Sequence, residues 1–154
     1  MKKQKFEVRR TKEGTFFEIA FLVLAIAVWV VIIQMMNHAP DTIATHFGFS
    51  GAPDSYGDKH HLLFPCIMCT VIGFCCLMGA YFPHTVNIPW TKINNVRQAT
   101  LAVRMMRITA LLMLLLPVGI TFDSIRGHIL FSLLAIAALV IVCLIFSILI
   151  YKAK

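Results

Sequence analysis

His38, Asp41, His46, Asp54, Asp58, His60 and His61 crowd into one stretch, residues 37–61, and His128 can join them if the chain folds back on itself. Imidazole and carboxylate are the ligand types that suit zinc and similar ions. The spacing argues against such a site. No H-E-x-x-H or comparable ligand pair occurs, and the adjacent His60 and His61 cannot readily aim at one ion, so neither a metal site nor a cofactor is expected. A metal-binding or small-solute transport role is kept as the alternative reading. For His46 and Asp54 the plain structural role is to fasten the loop by hydrogen bonds to backbone amides. Cys66-x-x-Cys69 formally matches a redox or metal half-site, yet Cys66, Cys69, Gly73 and Cys76 recur at helical spacing as a stripe of small side chains, which close helix packing in lipid uses. A reactive thiolate wants an electropositive, partly exposed setting instead. There is no G-x-S-x-G elbow, phosphate-cradling glycine loop or dinucleotide fingerprint. No catalytic residue is therefore named, and the chain is read as not an enzyme.

The elements that must carry these residues follow from composition. With 59% hydrophobic and 14% charged residues in 154 and a mean hydropathy of +0.82, the chain is more apolar than the roughly 45–50% of a soluble domain. Its solvent is the lipid bilayer. Four apolar runs approach the ~20 residues that cross about 30 Å of hydrocarbon: between Glu18 and His38, between His61 and His84, around Ile108–Phe122, and from Ile129 to Ile150. The third is the weakest and draws on Met105, Met106 and Ile125, with Arg107 and Asp123 snorkelling to the interfaces. The expected architecture is all-α, an integral membrane four-helix bundle forming one polytopic domain over residues 1–154. Its helices are placed at about 16–36, 62–83, 104–123 and 128–151, with an ordered loop at 37–61. No internal repeat or low-complexity linker divides it.

A net charge of +7 could suggest nucleic acid, but the basic residues sit in short flanks between apolar runs and form no groove. Orientation explains them. Lys2, Lys3, Lys5, Arg9, Arg10 and Lys12 precede the first helix, Lys92, Arg97, Arg104 and Arg107 surround the second connection, and Lys152 and Lys154 follow the last helix, which puts twelve of the fourteen cations on one side. By the positive-inside rule both termini are cytoplasmic. Lys59 and Arg126 lie outside beside Asp41, Asp54, Asp58 and Asp123. The first helix is read as retained, since its apolar core exceeds about 7–15 residues and Met35-Met36-Asn37-His38 lacks a small-x-small cleavage site. The five cysteines all fall within the spans and are not read as disulfides. The midplane carries no ionisable group, which weighs against ion-coupled transport, and Glu18 with Arg104 or Arg107 makes an interfacial ion pair. Pro65, and Pro117 with Gly119, could kink the second and third helices, although such prolines are commonly tolerated packing features.

The loop departs from a generic linker. Pro40-Asp41 and Pro53-Asp54 are turn formers, Gly48, Gly51 and Gly57 permit positive φ, and Phe47, Phe49 and Tyr56 are apolar anchors. An ordered segment folded onto the outer helix ends is expected, with carboxylates satisfying turn amides. Here the sequence resembles the bacterial membrane domain of unknown function 1648, which also occurs in SdpI-type bacteriocin immunity proteins. Its pattern is approximately P-x-x-I-P-x-H-F-x-x-x-G-x-P-D-x-x-x-x-K, and Pro40, Ile43, His46, Phe47, Gly51, Pro53, Asp54 and Lys59 fall at those spacings. Ala44 replaces the second proline, and Gly48 stands where asparagine is common. A looser similarity runs through Asn87, Pro89, Asn94 and Arg104-Met105-Met106-Arg107.

The loop residues Pro40, Asp41, His46, Phe47, Gly51, Pro53, Asp54 and Lys59 are read as the binding element, because they form the polar constellation that a plain four-helix bundle does not require. The resemblance implies a bacterial inner-membrane protein. It points to peptide-toxin immunity or envelope-stress sensing, with an extracytoplasmic peptide or a membrane-protein partner; self-association into a homo-oligomer is compatible with it. SdpI-like chains are longer and carry further membrane segments. The cation asymmetry makes its own prediction. Tags on both termini should be reached only after the membrane is permeabilised, and a cysteine introduced as Ser55→Cys should react with an impermeant thiol reagent on intact cells. A terminus labelled from outside would overturn the orientation.

Overall fold

The computed structural model describes residues 8–153. Five helices and one two-stranded sheet follow in the order α1 (Lys12–His38), β1 (Thr42–Phe47), β2 (Pro53–Asp58), α2 (Leu63–Gly79), α3 (Val96–Met113), α4 (Leu115–Arg126) and α5 (Leu130–Lys152). A 3-10 turn at Lys59–Leu62 leads into α2, and α3 with α4 makes one broken span. Among the described residues four segments are long and apolar enough to cross a membrane: Lys12–His38, Lys59–Gly79, Val96–Arg126 and Leu130–Lys152. The all-α expectation is corrected by the antiparallel β1–β2 hairpin, which occupies the expected ordered loop. Lys2, Lys3, Lys5 and Lys154 of the cation count lie outside the described residues.

α1 begins where Thr11 caps it, its hydroxyl accepting from Gly14 N at 3.0 Å. Its buried residues Phe21, Val28, Ile32 and Met36 recur at helical spacing and face Cys66, Leu77, Ala110 and Leu114 in the main core. Leu22, Val23, Ile26 and Ile33 point away from the protein. In water such a face would be a liability, whereas in lipid it is the outer surface. α2 meets α3 closely at Gly73, where a Cβ would sit 3.1 Å from the Ala110 carbonyl oxygen and 3.2 Å from Met113 Cβ. The small-residue stripe thus packs through Cys66 and Gly73, both buried, while Cys69 and Cys76 are half-exposed.

The third span differs most from expectation. It starts at Val96, eight positions before the expected 104, because Asn95 accepts from Gln98 N at 2.8 Å and the Gln98 side chain accepts from Asn94 N at 2.9 Å. This is close to a capping box. The span breaks at Leu114, ahead of Pro117, which has no N–H to donate to the carbonyl of Met113. Within α4, Thr121 Oγ1 donates to the Pro117 carbonyl at 2.8 Å, with Cys66 Sγ 3.8 Å from the same oxygen. Pro65, by contrast, occupies the first turn of α2, where proline costs nothing, and makes no mid-helix kink.

Neither Arg107 nor Asp123 snorkels to solvent. Arg107 is buried over the Phe17 ring at 6.0 Å, against Gly14, whose Cβ would lie 2.6 Å from a guanidinium nitrogen. Nor does Glu18 pair with Arg104 or Arg107. Glu18 takes Arg10 at 2.6 Å and the Tyr81 hydroxyl, and Glu13 takes Arg104 at 3.0 Å. These contacts tie the start of α1 to the middle of α3, through Arg104, and to the chain just past α2, through Tyr81.

Asp123, 1% exposed, caps a neighbouring helix. α4 ends on Gly127 in the left-handed region, φ 73°, whose N–H returns to the Asp123 carbonyl at 2.8 Å. The turn brings the Asp123 carboxylate onto the first turn of α5, where it accepts from Phe131 N at 3.1 Å, Ser132 N at 2.7 Å and the Ser132 hydroxyl. The residue at the N-cap position of α5, Ile129, offers no side-chain cap. At the far end Gln98 Nε2 donates to the Ile150 carbonyl at 3.1 Å and Asn95 Nδ2 to the Ala153 carbonyl at 2.8 Å. Removing the Asp123 carboxylate leaves buried donors unpaired, so Asp123→Ala should lower unfolding free energy in detergent by about 2–3 kcal/mol and Ser132→Ala by about 1 kcal/mol. Thermal melts of the two variants test this, and a wild-type midpoint for Asp123→Ala would refute the capping role.

Candidate functional site

The hairpin is built by short-range turn chemistry. Between β1 and β2, Gly48 N donates to Ala52 O and Gly51 N to Gly48 O, both at 2.9 Å. Gly51 takes φ 78°, which an L side chain rarely adopts. The register runs from Thr42 opposite Asp58 through Ala44 opposite Tyr56, then His46 opposite Ser55 and Phe47 opposite Pro53. Thr45 on one strand and Asp54 on the other are therefore extra residues in adjacent bulges. A bulge re-aims side chains. Here His46 Nδ1 comes 2.5 Å from Asp54 Oδ1, a hydrogen bond when that nitrogen carries a proton and an ion pair when both nitrogens do. Both side chains are exposed, 70% and 50%. Asp54 Oδ2 also lies near the place a Gly48 Cβ would fill, 3.2 Å away. His46 and Asp54 thus hold each other, not the backbone amides expected for them.

A second pair fixes the base. Lys59 is largely sheltered, 18% exposed; its ammonium lies 3.0 Å from Asp41 Oδ1 and donates to the Ala39 carbonyl at 3.3 Å, while its amide donates to Asp41 O at 3.0 Å. Asp58 accepts from His60 N and contacts the His60 ring, each at 2.7 Å. Those interactions, the His60 amide first, hold the Asp58 carboxyl below its ordinary range. The cap therefore contributes fully at neutral pH and is lost as pH falls through the lowered value.

The hairpin rests on the helix ends. Ile43 and Ala44 are buried, Gly51 meets Ile129, and Pro53 lies against Gly127. Beneath it is a cavity of about 340 Å³ whose walls include Thr45, Phe47, His61, Leu62, Pro65, Ile120, Asp123, Ile129 and Ile136. Phe49 projects from the turn fully exposed, and Tyr56 is 64% exposed. The sequence motif is thus split by role. His46 with Asp54 forms an outward polar pair, Asp41 with Lys59 a basal clamp, Gly51 and Pro53 the turn and its contact, Phe47 a cavity wall, and Pro40 an exposed link from α1. Ile129 and Asp123, which complete the cavity, carry no motif that sequence reasoning could have used. Among the described residues no three His, Cys, Asp or Glu side chains converge as a metal-binding group.

A family model described as Domain of unknown function (DUF1648) matches residues 22–69. The match spans most of α1, the whole hairpin and the start of α2, and it agrees with the resemblance carried by the loop. The looser similarity at Asn87, Pro89, Asn94 and Arg104–Arg107 lies beyond the matched residues. No curated protein and no solved structure matches the chain. The basal clamp leads to a local prediction. Lys59→Ala should speed amide exchange over 41–58 by about tenfold, as losing one charge-assisted bond of about 1.5 kcal/mol implies, with α3–α5 unaffected. Unchanged protection across the hairpin would show that Lys59 does not hold it.

Proposed function

We propose that this chain is a non-enzymatic, multi-pass protein of a bacterial inner membrane, with cytoplasmic termini, that senses or resists an extracytoplasmic peptide through its hairpin. The observation that carries this reading is the pairing of an exposed recognition surface with a cavity beneath it. His46, Asp54 and Phe49 face outward from a hairpin anchored at base and turn, and the space below is walled by Phe47, Leu62, Pro65 and Ile136. A peptide offers what both parts take: polar or charged groups for the pair, and an apolar side chain for the exposed ring or the cavity. Exposed polar residues on a rigid segment are poor contributors to stability, which supports assigning them to recognition. Immunity in the manner of SdpI-type proteins, and envelope-stress sensing as the same interaction coupled to a signal, are the two forms of this role.

The test is survival of a strain lacking the gene, complemented by wild-type or variant chains and challenged with a panel of secreted bacterial toxic peptides. His46→Ala, Asp54→Asn and Phe49→Ser should each reduce protection by at least about tenfold, equivalent to roughly 1.4 kcal/mol of lost interaction, at unchanged abundance and melting temperature. Wild-type protection per folded molecule in all three variants would defeat the reading and leave the hairpin as structure.

A further inference from the structure

At the end of the bundle opposite the hairpin, α3 and α5 enclose a cleft of about 480 Å³ lined by Arg97, Thr100, Leu101, Arg104, Leu149 and Lys152. Three of these are cations and none is acidic. Arg104 shares its charge with Glu13, contacting the two carboxylate oxygens at 3.0 and 3.3 Å. Arg97 and Lys152 meet no carboxylate within 4 Å among the described residues. Two ordinary explanations for such cations fall short here. A lysine in the last turn of a helix commonly serves the terminal carbonyls, but those of Ile150 and Ala153 already accept from Gln98 and Asn95. Snorkelling explains one cation at a helix end, but not cations from two helices converging on a cleft with leucine walls.

The same amide bonds fix the cleft's geometry, because they tie the first turn of α3 to the last turn of α5. One side is open to where acyl chains lie: Leu149 is 43% exposed on the face of the most apolar span. We propose that this cleft binds the headgroup of an anionic phospholipid, with Arg97 and Lys152 engaging the phosphate oxygens, Arg104 flanking them, and Leu101 and Leu149 against the first acyl methylenes. The guanidinium fork matches phosphate geometry, and basic pockets between membrane helices take phosphorylated headgroups. The leucine walls and the membrane-side opening select a lipid over a soluble phosphate. The site is independent of the hairpin and of the function proposed for it.

The full chain, purified in detergent and supplied with phosphatidylglycerol or phosphatidylcholine, tests this by native mass spectrometry of retained lipid. Phosphatidylglycerol should be retained at least about tenfold more strongly than phosphatidylcholine. The pair Arg97→Gln with Lys152→Gln should lose roughly thirtyfold in that retention, as two interfacial cations imply, and Arg97→Lys with Lys152→Arg should keep most of it. Lys12→Gln with Arg126→Gln, an equal loss of charge away from the cleft, should leave retention unchanged. If the glutamine pair fails to fold, Lys152→Gln alone, at an exposed position, carries the same comparison with a smaller loss. The proposal is overturned if the folded glutamine variant retains phosphatidylglycerol as the wild type does, if the control pair loses as much, or if millimolar inorganic phosphate displaces the lipid.

Discussion

The constraint on which this architecture rests is that amides and carbonyls buried at a helix end must find their partners within the protein. α5 meets it with side chains from another span. Asp123 takes the donors of its first turn, and Asn95 and Gln98 supply its last carbonyls. α5 is otherwise a poor candidate for a fixed position, since its surface is apolar on every side and little of it is buried. Packing against such a helix is only weakly directional, because lipid tails are as apolar as the neighbouring leucines. The polar clasps at both ends set its height and its register against the third span. Gly119 then lets the two approach until a Cβ there would sit 3.0 Å from Ser132 N.

That clasp also shapes the candidate site. The turn through Gly127 that delivers Asp123 to α5 is the turn on which Pro53 rests, and Ile129 beside it receives Gly51. The hairpin is thus supported by residues whose positions are set by helix capping. Its own internal order comes from the bulges at Thr45 and Asp54. Because there is one on each strand, the strands come back into step by Phe47 and Pro53, and the extra residue Asp54 is the one turned toward His46. Distortion of the ladder and exposure of the polar pair are one feature.

The sequence made the spans and the ordered loop legible because each has a large signal: long apolar runs for the first, and a density of proline, glycine and aromatic residues for the second. The family match at 22–69 falls where the loop motif pointed. What escaped were features made of single polar residues acting over long separations. Asp123 reads as an interfacial carboxylate unless one knows that Gly127 folds α5 back onto it. Arg107 reads as a snorkelling cation unless Phe17 and Gly14 are known to receive it. The start of α3 was readable, since Asn95-x-x-Gln98 is a capping signal, but Lys92, Arg97 and Arg104 mask the helix in a hydropathy profile. The hairpin was missed because β1 and β2 are six residues each and their alternation is interrupted by the bulges.

The side chains that meet the ends of α5 all precede it in the chain. Synthesis delivers Asn95, Gln98 and Asp123 to the membrane before α5, so the groups that satisfy its ends are waiting when it emerges. The tight turn at Gly127 makes α4 and α5 a helical hairpin that can enter the bilayer as one unit, with the first-turn amides of α5 bonded to Asp123. A chain permuted to begin with α5 would have to insert it with its first-turn amides not yet met by Asp123.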